Sequence, residues 1–434
     1  MPPIASFPVD VAPNEPGTWL ISPSGPLRGD VRVRGSKNAV TKHLVAAMMG
    51  GRPSIIRNAP RVGDVDITSE ILRSLGVGVE RDGSAITVHP TMAPQATVPI
   101  EFSGLNRIPI LLAGPLLNLV GEAFVPLVGG DRIGRRPVDF HVAALTALGA
   151  EVEVRDDGIV AKASRLRGAR IELPYPSVGA TETVLKGAAT EPEVTELALF
   201  LQRMGASIEL QPDRRIVIEG VERLDGASTT LEGDRIEGWS YLCAGVVTGG
   251  EVRVAGCRQD RLVTAINVLH RMGARVEVTD QWITASASGA LRPVAVSTDT
   301  HPGFMTDWQT PLMVLLSQAD GMSVLHETVF ENRLVYVPAL QQMGVEVELF
   351  SDCLGGADCR FDETNNLHSA VVKGVSALRG AEVTVPDVRA GFSSVIAAAA
   401  ADGPSTLHGI HHLERGYHRP AEQLVSLGLD LRTT

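Results

Sequence analysis

The sequence predicts an α/β (α+β) protein of two domains, each assembled from three copies of one unit that carries strands and helices together. Three observations carry this prediction. A helix-like run ending in Leu or Met, then Gly, then an alternating strand occurs six times, with the glycines at Gly76, Gly149, Gly205, Gly273, Gly344 and Gly428. A second phrase, Gly followed by a short strand and a polar loop, precedes most of these, as from Gly51, Gly250, Gly321 and Gly403. The six glycines lie 73, 56, 68, 71 and 84 positions apart, which exceeds the roughly 20–50 residues of a solenoid repeat and is about half a typical domain.

Each glycine follows the last apolar residue of a helix, where a left-handed cap needs a residue without Cβ. The alternation that comes next, as in Val77-Gly78-Val79 or Val345-Glu346-Val347, reads as a half-buried strand. Along the chain, residues 31–34 read as a strand and residues 40–49 as an apolar helix, with Gly35-Ser36-Lys37-Asn38-Ala39 between them. A Gly-led turn at a helix start offers free backbone N–H groups and a positive dipole end, and Lys37 adds a full charge there. It is not a Walker A loop, because Gly-x-x-x-x-Gly-Lys is absent.

The next informative segment is Gly129-Gly130-Asp131-Arg132-Ile133-Gly134-Arg135-Arg136-Pro137-Val138-Asp139. Three glycines make a loop with wide backbone freedom, the arginines supply forked anion donors, and Pro137 suits the first position of a helix. This combination fits a charged lid, with a solvated surface turn as the competing reading. In the C-terminal half, Glu331-Asn332-Arg333, Asp387-Val388-Arg389 and Glu414-Arg415-Gly416 fall at equivalent junctions of the repeated unit. They are expected near one end of a domain, with structural ion pairs as the alternative account. Residues 395–401 read as a small-residue helix, and Arg28-Gly29-Asp30 as a turn.

Composition narrows the function classes. The chain of 434 residues is 44% hydrophobic but only 4% aromatic, so its core must be mostly Val, Leu, Ile and Ala. A formal net charge of −11 argues against a nucleic-acid partner drawn by the field of the whole molecule, though not against a local anion site. Cys243, Cys257, Cys353 and Cys359 show no metal-type spacing and read as buried or incidental thiols of a reducing compartment. Residues 1–16 are Pro-rich without the pattern of a signal peptide. No apolar stretch approaches the roughly 20 residues of a membrane span, so a cytoplasmic protein is expected. Adjacent His411 and His412 are expected to point apart, with no metal between them.

In order, Gly35-Ser36-Lys37-Asn38, Arg107, Gly129 to Asp139, Ser177-Val178-Gly179-Ala180-Thr181, Phe304-Met305-Thr306-Asp307, Thr328 to Arg333, Asp387-x-Arg389 and Arg415-Gly416-Tyr417 closely resemble the UDP-N-acetylglucosamine enolpyruvyl transferases. The resemblance runs from about residue 19 to the C-terminus; the related 5-enolpyruvylshikimate-3-phosphate synthases match less well. It implies a two-domain inverse α/β barrel of six βαβαββ-type units, three per domain, with one domain formed by residues 1–36 and 223–434 and an inserted domain by 37–222. It also implies transfer of the enolpyruvyl group of phosphoenolpyruvate to a hydroxyl of a uridine nucleotide, with phosphate released and no metal or organic cofactor.

By that resemblance Lys37, Asp131, Asp307 and Arg415 are the catalytic residues. Asn38, Arg107, Arg136, Asp139, Ser177, Val178, Gly179, Val329, Glu331, Arg333, Asp387 and Arg389 are the substrate-binding ones. Lys37, Arg136 and Arg415 would meet the donor's two acidic groups, and Asp307 would face the acceptor hydroxyl. Asp131 stands where most members carry cysteine. It must be raised from an ordinary carboxyl pKa of about 3.9 by desolvation before it can donate a proton. A carboxylate is also a poor target for the epoxide antibiotic that alkylates the cysteine enzymes, so insensitivity to it is expected.

Three departures bear on the acceptor. Gly63 stands where the family usually has Lys, Leu111 where many members have Trp, and the third unit is short because a helix after residues 178–182 is missing. Its loss would expose apolar core that an altered loop or a second copy of the chain is expected to cover. The missing helix favours a simpler acceptor, the 3′-hydroxyl of UMP, with UDP-N-acetylglucosamine of cell-wall synthesis as the alternative. A noncatalytic nucleotide-binding relative would have no need of Lys37, Asp131 and Asp307 together. A sugar-nucleotide dehydrogenase would need a Gly-x-Gly-x-x-Gly turn that is absent.

Overall fold

The computed structural model describes residues 17–129, 138–173, 175–176, 188–356, 359–362 and 364–434. All six recurrent glycines adopt left-handed backbone, with φ between +86° and +102°. They follow the helices Gly63–Ser74, Asp139–Ala147, Pro192–Arg203, Val263–Met272, Val337–Gln342 and Pro420–Ser426. The strands Gly78–Asp82, Glu151–Val154, Ser207–Gln211, Arg275–Val278, Glu346–Phe350 and Leu431–Thr433 come next in turn. The helix-Gly-strand phrase is therefore one recurring piece of architecture.

The described strands form six small sheets, four of them four-stranded. In each of those four, three strands pair antiparallel and the fourth joins parallel from another part of the chain. Arg28–Arg32 lies beside Glu251–Ala255 in this way, Ser228–Thr230 beside Ser54–Arg57, Ala295–Ser297 beside Gly321–His326 and Glu382–Thr384 beside Ser405–His408. Residues 28–30 are thus strand and not the expected turn. Asp30 points across the sheet to Arg253, whose Nε donates to it at 2.6 Å.

Helices occupy the inside. Gln309–Leu316 and Ala390–Ala399 are buried at every position, Arg235–Val247 at all but the last, and the three pack on one another. Small residues permit this close approach. A Cβ on Gly391 would stand 2.4 Å from Val385 Cγ1, so the Ala-Gly-Phe-Ser-Ser start of that helix is a packing requirement. One hydrophobic cluster gathers residues from 19–33 and 236–429, including Trp239, Phe304 and Trp308 in mutual ring contact. A second gathers residues from 39–204 together with Leu231 around the helix Lys37–Ala47. Each fully buried Leu, Ile or Val contributes roughly 1.5–3 kcal/mol, which makes aliphatic cores sufficient despite few aromatics.

The third unit differs. Among the described residues its sheet is the two-stranded ribbon Ser207–Gln211 and Arg215–Glu219, and none of its positions is buried. Residues 177–187, where the missing helix is expected, lie outside the described residues.

The helix Pro192–Arg203 ties the two clusters together. Glu193 receives two hydrogen bonds of 3.0 Å from Arg235, which is 1% exposed. One turn on, Glu196 accepts from the Glu232 backbone N–H at 2.8 Å and lies 3.5 Å from Arg261. Burial pushes the Glu196 carboxyl up to about 7. An unfolded chain titrates it near ~4.3, so between those pH values the native state holds the extra proton, and stability falls as pH rises from the lower value to about 7, where the loss is complete. We expect Glu196→Gln to raise the melting temperature at pH 8 by at least about 2–4 °C. The gain should shrink to roughly a third of that at pH 5. Thermal melts at the two pH values check this, and an equal shift at both would refute it.

Candidate active site

Gly35 sets up the first cation. Its turn passes so close to Asn58 and Leu231 that a Cβ would stand 2.6 Å from both the Asn58 carbonyl oxygen and Leu231 Cβ. The helix Lys37–Ala47 begins two residues later, sooner than residue 40, and puts Lys37 in its first turn. Lys37 Nζ lies 2.8 Å from Asp64 Oδ2, in the first turn of the helix Gly63–Ser74. Arg415 comes from the other end of the chain. Its Nε and one terminal nitrogen both donate to Asp64 Oδ1 at 3.1 Å, and the terminal nitrogen also donates to the Leu105 carbonyl at 3.0 Å.

Burial pushes the Asp64 carboxyl up, but the charges of Lys37 and Arg415 more than offset this and hold it below the usual carboxylate range. Gly63 has a local reason in this geometry. A Cβ there would come 3.3 Å from Arg415 Cγ, so the departure at this position leaves Arg415 its room.

The second group of charges centres on Asp307, in the short turn Thr306–Trp308. Arg333 lies 3.2 Å from Asp307 Oδ1 and 3.5 Å from Asp387 Oδ1, with no exposed side-chain surface. Arg389 approaches Asp307 Oδ2 at 3.9 Å and Asp234 at 3.7 Å. Asp387 also accepts the backbone N–H groups of Arg389 and Ala390 at 2.8 and 2.9 Å, as the start of the following helix requires. The two groups adjoin. Asp234 accepts the Lys37 backbone N–H at 3.3 Å, and Arg389 reaches the carbonyl of Gly416, next to Arg415, at 3.5 Å.

The sequence-predicted residues thus divide. Lys37, Asp307, Arg333, Asp387, Arg389 and Arg415 form one contiguous network. Its arginines are paired with carboxylates, so the ion-pair account weighed from the sequence applies to Arg333 and Arg389, which are buried. Val329 and Glu331 flank it; the Val329 N–H donates to the fully buried Glu327 at 2.7 Å, and Glu327 also accepts from Thr306 at 2.8 Å. Asn38 lies beside Lys37 on its helix. Arg107 and Asp139 stand near the buried His141, whose imidazole is pushed down to about 4 by burial and by Arg107. Asp131, Arg136, Ser177, Val178 and Gly179 lie outside the described residues.

Two residues were missed from the sequence. Asp64 looks like an ordinary acidic residue in a first turn, and Asp234 like an ordinary helix cap. One expectation is also overturned: His411 and His412 lie on the short helix His411–Glu414 with ring centroids 4.1 Å apart. On this helix the two rings meet at a tilt of 39° and do not point apart.

Residues 21–424 match the family described as EPSP synthase (3-phosphoshikimate 1-carboxyvinyltransferase). The chain belongs to this enolpyruvyl transferase family. It is an enolpyruvyl transferase, and phosphoenolpyruvate is the donor such enzymes use. Among its relatives is a protein of Protochlamydia amoebophila named UDP-N-acetylglucosamine 1-carboxyvinyltransferase. It is 42% identical over 427 residues, covering 94% of this chain and 92% of the relative. A protein of the same name from Chlamydia abortus is 44% identical over 420 residues, with 93% and 95% covered. The crystal structure of the enolpyruvyl transferase NikO from Streptomyces tendae superposes with a TM-score of 0.84 at 26% identity, covering 96% of this chain and 99% of NikO. This mixed α/β enolpyruvyl transferase has no helix, among its described residues, that is long and apolar enough to cross a membrane.

Proposed function

We propose that this enolpyruvyl transferase moves the enolpyruvyl group of phosphoenolpyruvate to a hydroxyl of UDP-N-acetylglucosamine. The observation that carries the donor side is the Lys37–Asp64–Arg415 arrangement. It gathers two cations from opposite ends of the chain beside the Asp307 network, where a small doubly acidic molecule needs them. The acceptor rests on the relatives that share 42–44% of their residues over more than nine-tenths of this chain and carry that sugar nucleotide in their names. The expectation of UMP gives way to it. That expectation leaned on a helix missing near residues 177–187, which the structure does not describe.

In the proposed reaction a proton is delivered to C3 of the enol, with Asp131 as the acid, while Asp307 takes the acceptor's hydroxyl proton. The acceptor oxygen bonds to C2 and gives a tetrahedral ketal phosphate. The bond from C2 to the phosphate oxygen then breaks, a proton leaves C3, and phosphate departs. Lys37, Arg136 and Arg415 stabilise the carboxylate and the departing phosphate. Arg333 and Asp387 hold Asp307 and the helix start at Ala390, and Arg107, Asp139 and residues 177–179 contact the nucleotide. The division into lobes 1–36 with 223–434 and 37–222 belongs to the same proposal.

The test is phosphate release from phosphoenolpyruvate with either UDP-N-acetylglucosamine or UMP. Turnover with the sugar nucleotide alone is expected. Turnover with UMP alone reverses the acceptor, and no release with either supports the noncatalytic alternative.

A further inference from the structure

The longest gap between recurrent glycines, the 84 positions from Gly344 to Gly428, contains a segment that the transfer reaction does not call for. Residues 351–368 join the strand Glu346–Phe350 to the strand Ser369–Gly374, and Cys353 and Cys359 both lie in it. These thiols, expected to be incidental, meet two histidines. One ligand atom from each of His326, Cys353, Cys359 and His368 lies within 4.8 Å of all the others.

Sheet geometry brings them together. His326 ends the strand Gly321–His326 and pairs in register with Ser369, and Phe350 pairs with Ser369 from the other side. Three neighbouring strand ends thus place His326, His368 and the start of the cysteine segment at one corner. The backbone is drawn tight there. Gly355 passes so near that a Cβ would stand 2.1 Å from His326 Nδ1, and Ser369 Oγ donates to the Asp352 carbonyl at 2.6 Å.

The polar groups are arranged as ligands. His368 Nδ1 lies 2.8 Å from the Asn366 carbonyl; donating there leaves Nε2 as an acceptor, and Nε2 lies 3.3 Å from Cys353 Sγ. Metal-binding histidines are characteristically held in this way through the other ring nitrogen. The Phe361 backbone N–H donates to Cys359 Sγ at 3.3 Å. His326 has no exposed surface, and neither ring nitrogen has a hydrogen-bond partner among the described residues. Leaving a buried polar atom unsatisfied is costly, because its hydration is lost with nothing in exchange. A metal ion accounts for one of these nitrogens.

We propose that His326, Cys353, Cys359 and His368 bind one zinc ion, which fastens the chain at Cys353 and Cys359 to the sheet. Two sulfurs and two imidazole nitrogens suit a tetrahedral zinc. With Zn–S near ~2.3 Å and Zn–N near ~2.1 Å, its ligand atoms sit roughly 3.3–3.8 Å apart, a modest contraction of the cluster seen here. Four protein ligands leave no open position, so the ion is structural. Its effect reaches the site through Arg360, next to Cys359. Arg360 lies 4.0 Å over the Tyr175 ring and donates to the Val329 carbonyl, on the side where the proposed reaction places the acceptor.

Metal analysis of the full chain purified without chelator tests this directly and needs no turnover. About one zinc per chain is expected, falling below about 0.1 in Cys353→Ser/Cys359→Ser. Should that variant fail to fold, the wild-type chain exchanged into Co²⁺ should show the strong visible and thiolate-to-metal absorption of a tetrahedral sulfur–nitrogen site. Zinc below about 0.1 per chain in the wild type overturns the proposal. A Cys353–Cys359 disulfide in the mass spectrum, or iron in place of zinc, does so equally. Loss of enolpyruvyl transfer without loss of zinc would strike the proposed function and leave the metal site standing.

Discussion

Lys37→Ala is expected to lower kcat/KM for phosphate release by at least about 10²–10³, the usual cost of removing one fixed group that stabilises developing charge. The side chain is 16% exposed and its partner Asp64 is 6% exposed, so the ammonium is held in place before any substrate arrives. Arg415 still neutralises Asp64 in the variant through its two bonds of 3.1 Å, and the fold should melt within a few degrees of wild type. The split between activity and stability is the informative readout. Activity within about tenfold of wild type would remove Lys37 from the reaction. Lys37→Arg should also fail, because a planar fork cannot replace a compact ammonium on Asp64 Oδ2 when the carboxylate's other oxygen, Oδ1, is already held by Arg415.

Arg333→Ala should have the opposite profile, with stability lost first. Arg333 has no exposed surface and bridges Asp307 and Asp387, and Asp387 is only 1% exposed. Taking away one partner of a buried ion pair strands the other charge, which costs roughly 3–5 kcal/mol. For a domain of this size that corresponds to a fall of about 6–20 °C in melting temperature. Arg333→Lys keeps the charge but not the fork, so an intermediate fall is expected. A shift under about 2 °C in Arg333→Ala would show that the pair carries little energy. Asp307 would also lose its nearer guanidinium, so the residual activity of folded Arg333→Ala should drop even at low temperature.

How much of this was readable in the chain depended on whether a residue's reason is local. The six glycines were legible because left-handed backbone excludes most side chains at a helix end, whatever packs around it. The arginines at the strand-to-helix junctions were legible by their repeated placement. Their partners were not: whether Arg333 faces water or Asp387 depends on a contact 54 positions away. Asp64 escaped notice because its meaning comes from Arg415, 351 positions on. The Cys2His2 cluster escaped for a similar reason, since its histidines sit on strand ends and spacing rules read only nearby ligands. Arg28-Gly29-Asp30 was misread because a glycine with φ of +135° interrupts the alternation without ending the strand.

The Arg235–Glu193 pair has a mechanical consequence. It joins the two hydrophobic clusters through two parallel hydrogen bonds of 3.0 Å in a place almost closed to water. Separating it would strand both charges. The pair therefore rivets the helix Pro192–Arg203 to the helix Arg235–Val247, and parting them at this point carries the full penalty of two uncompensated ions.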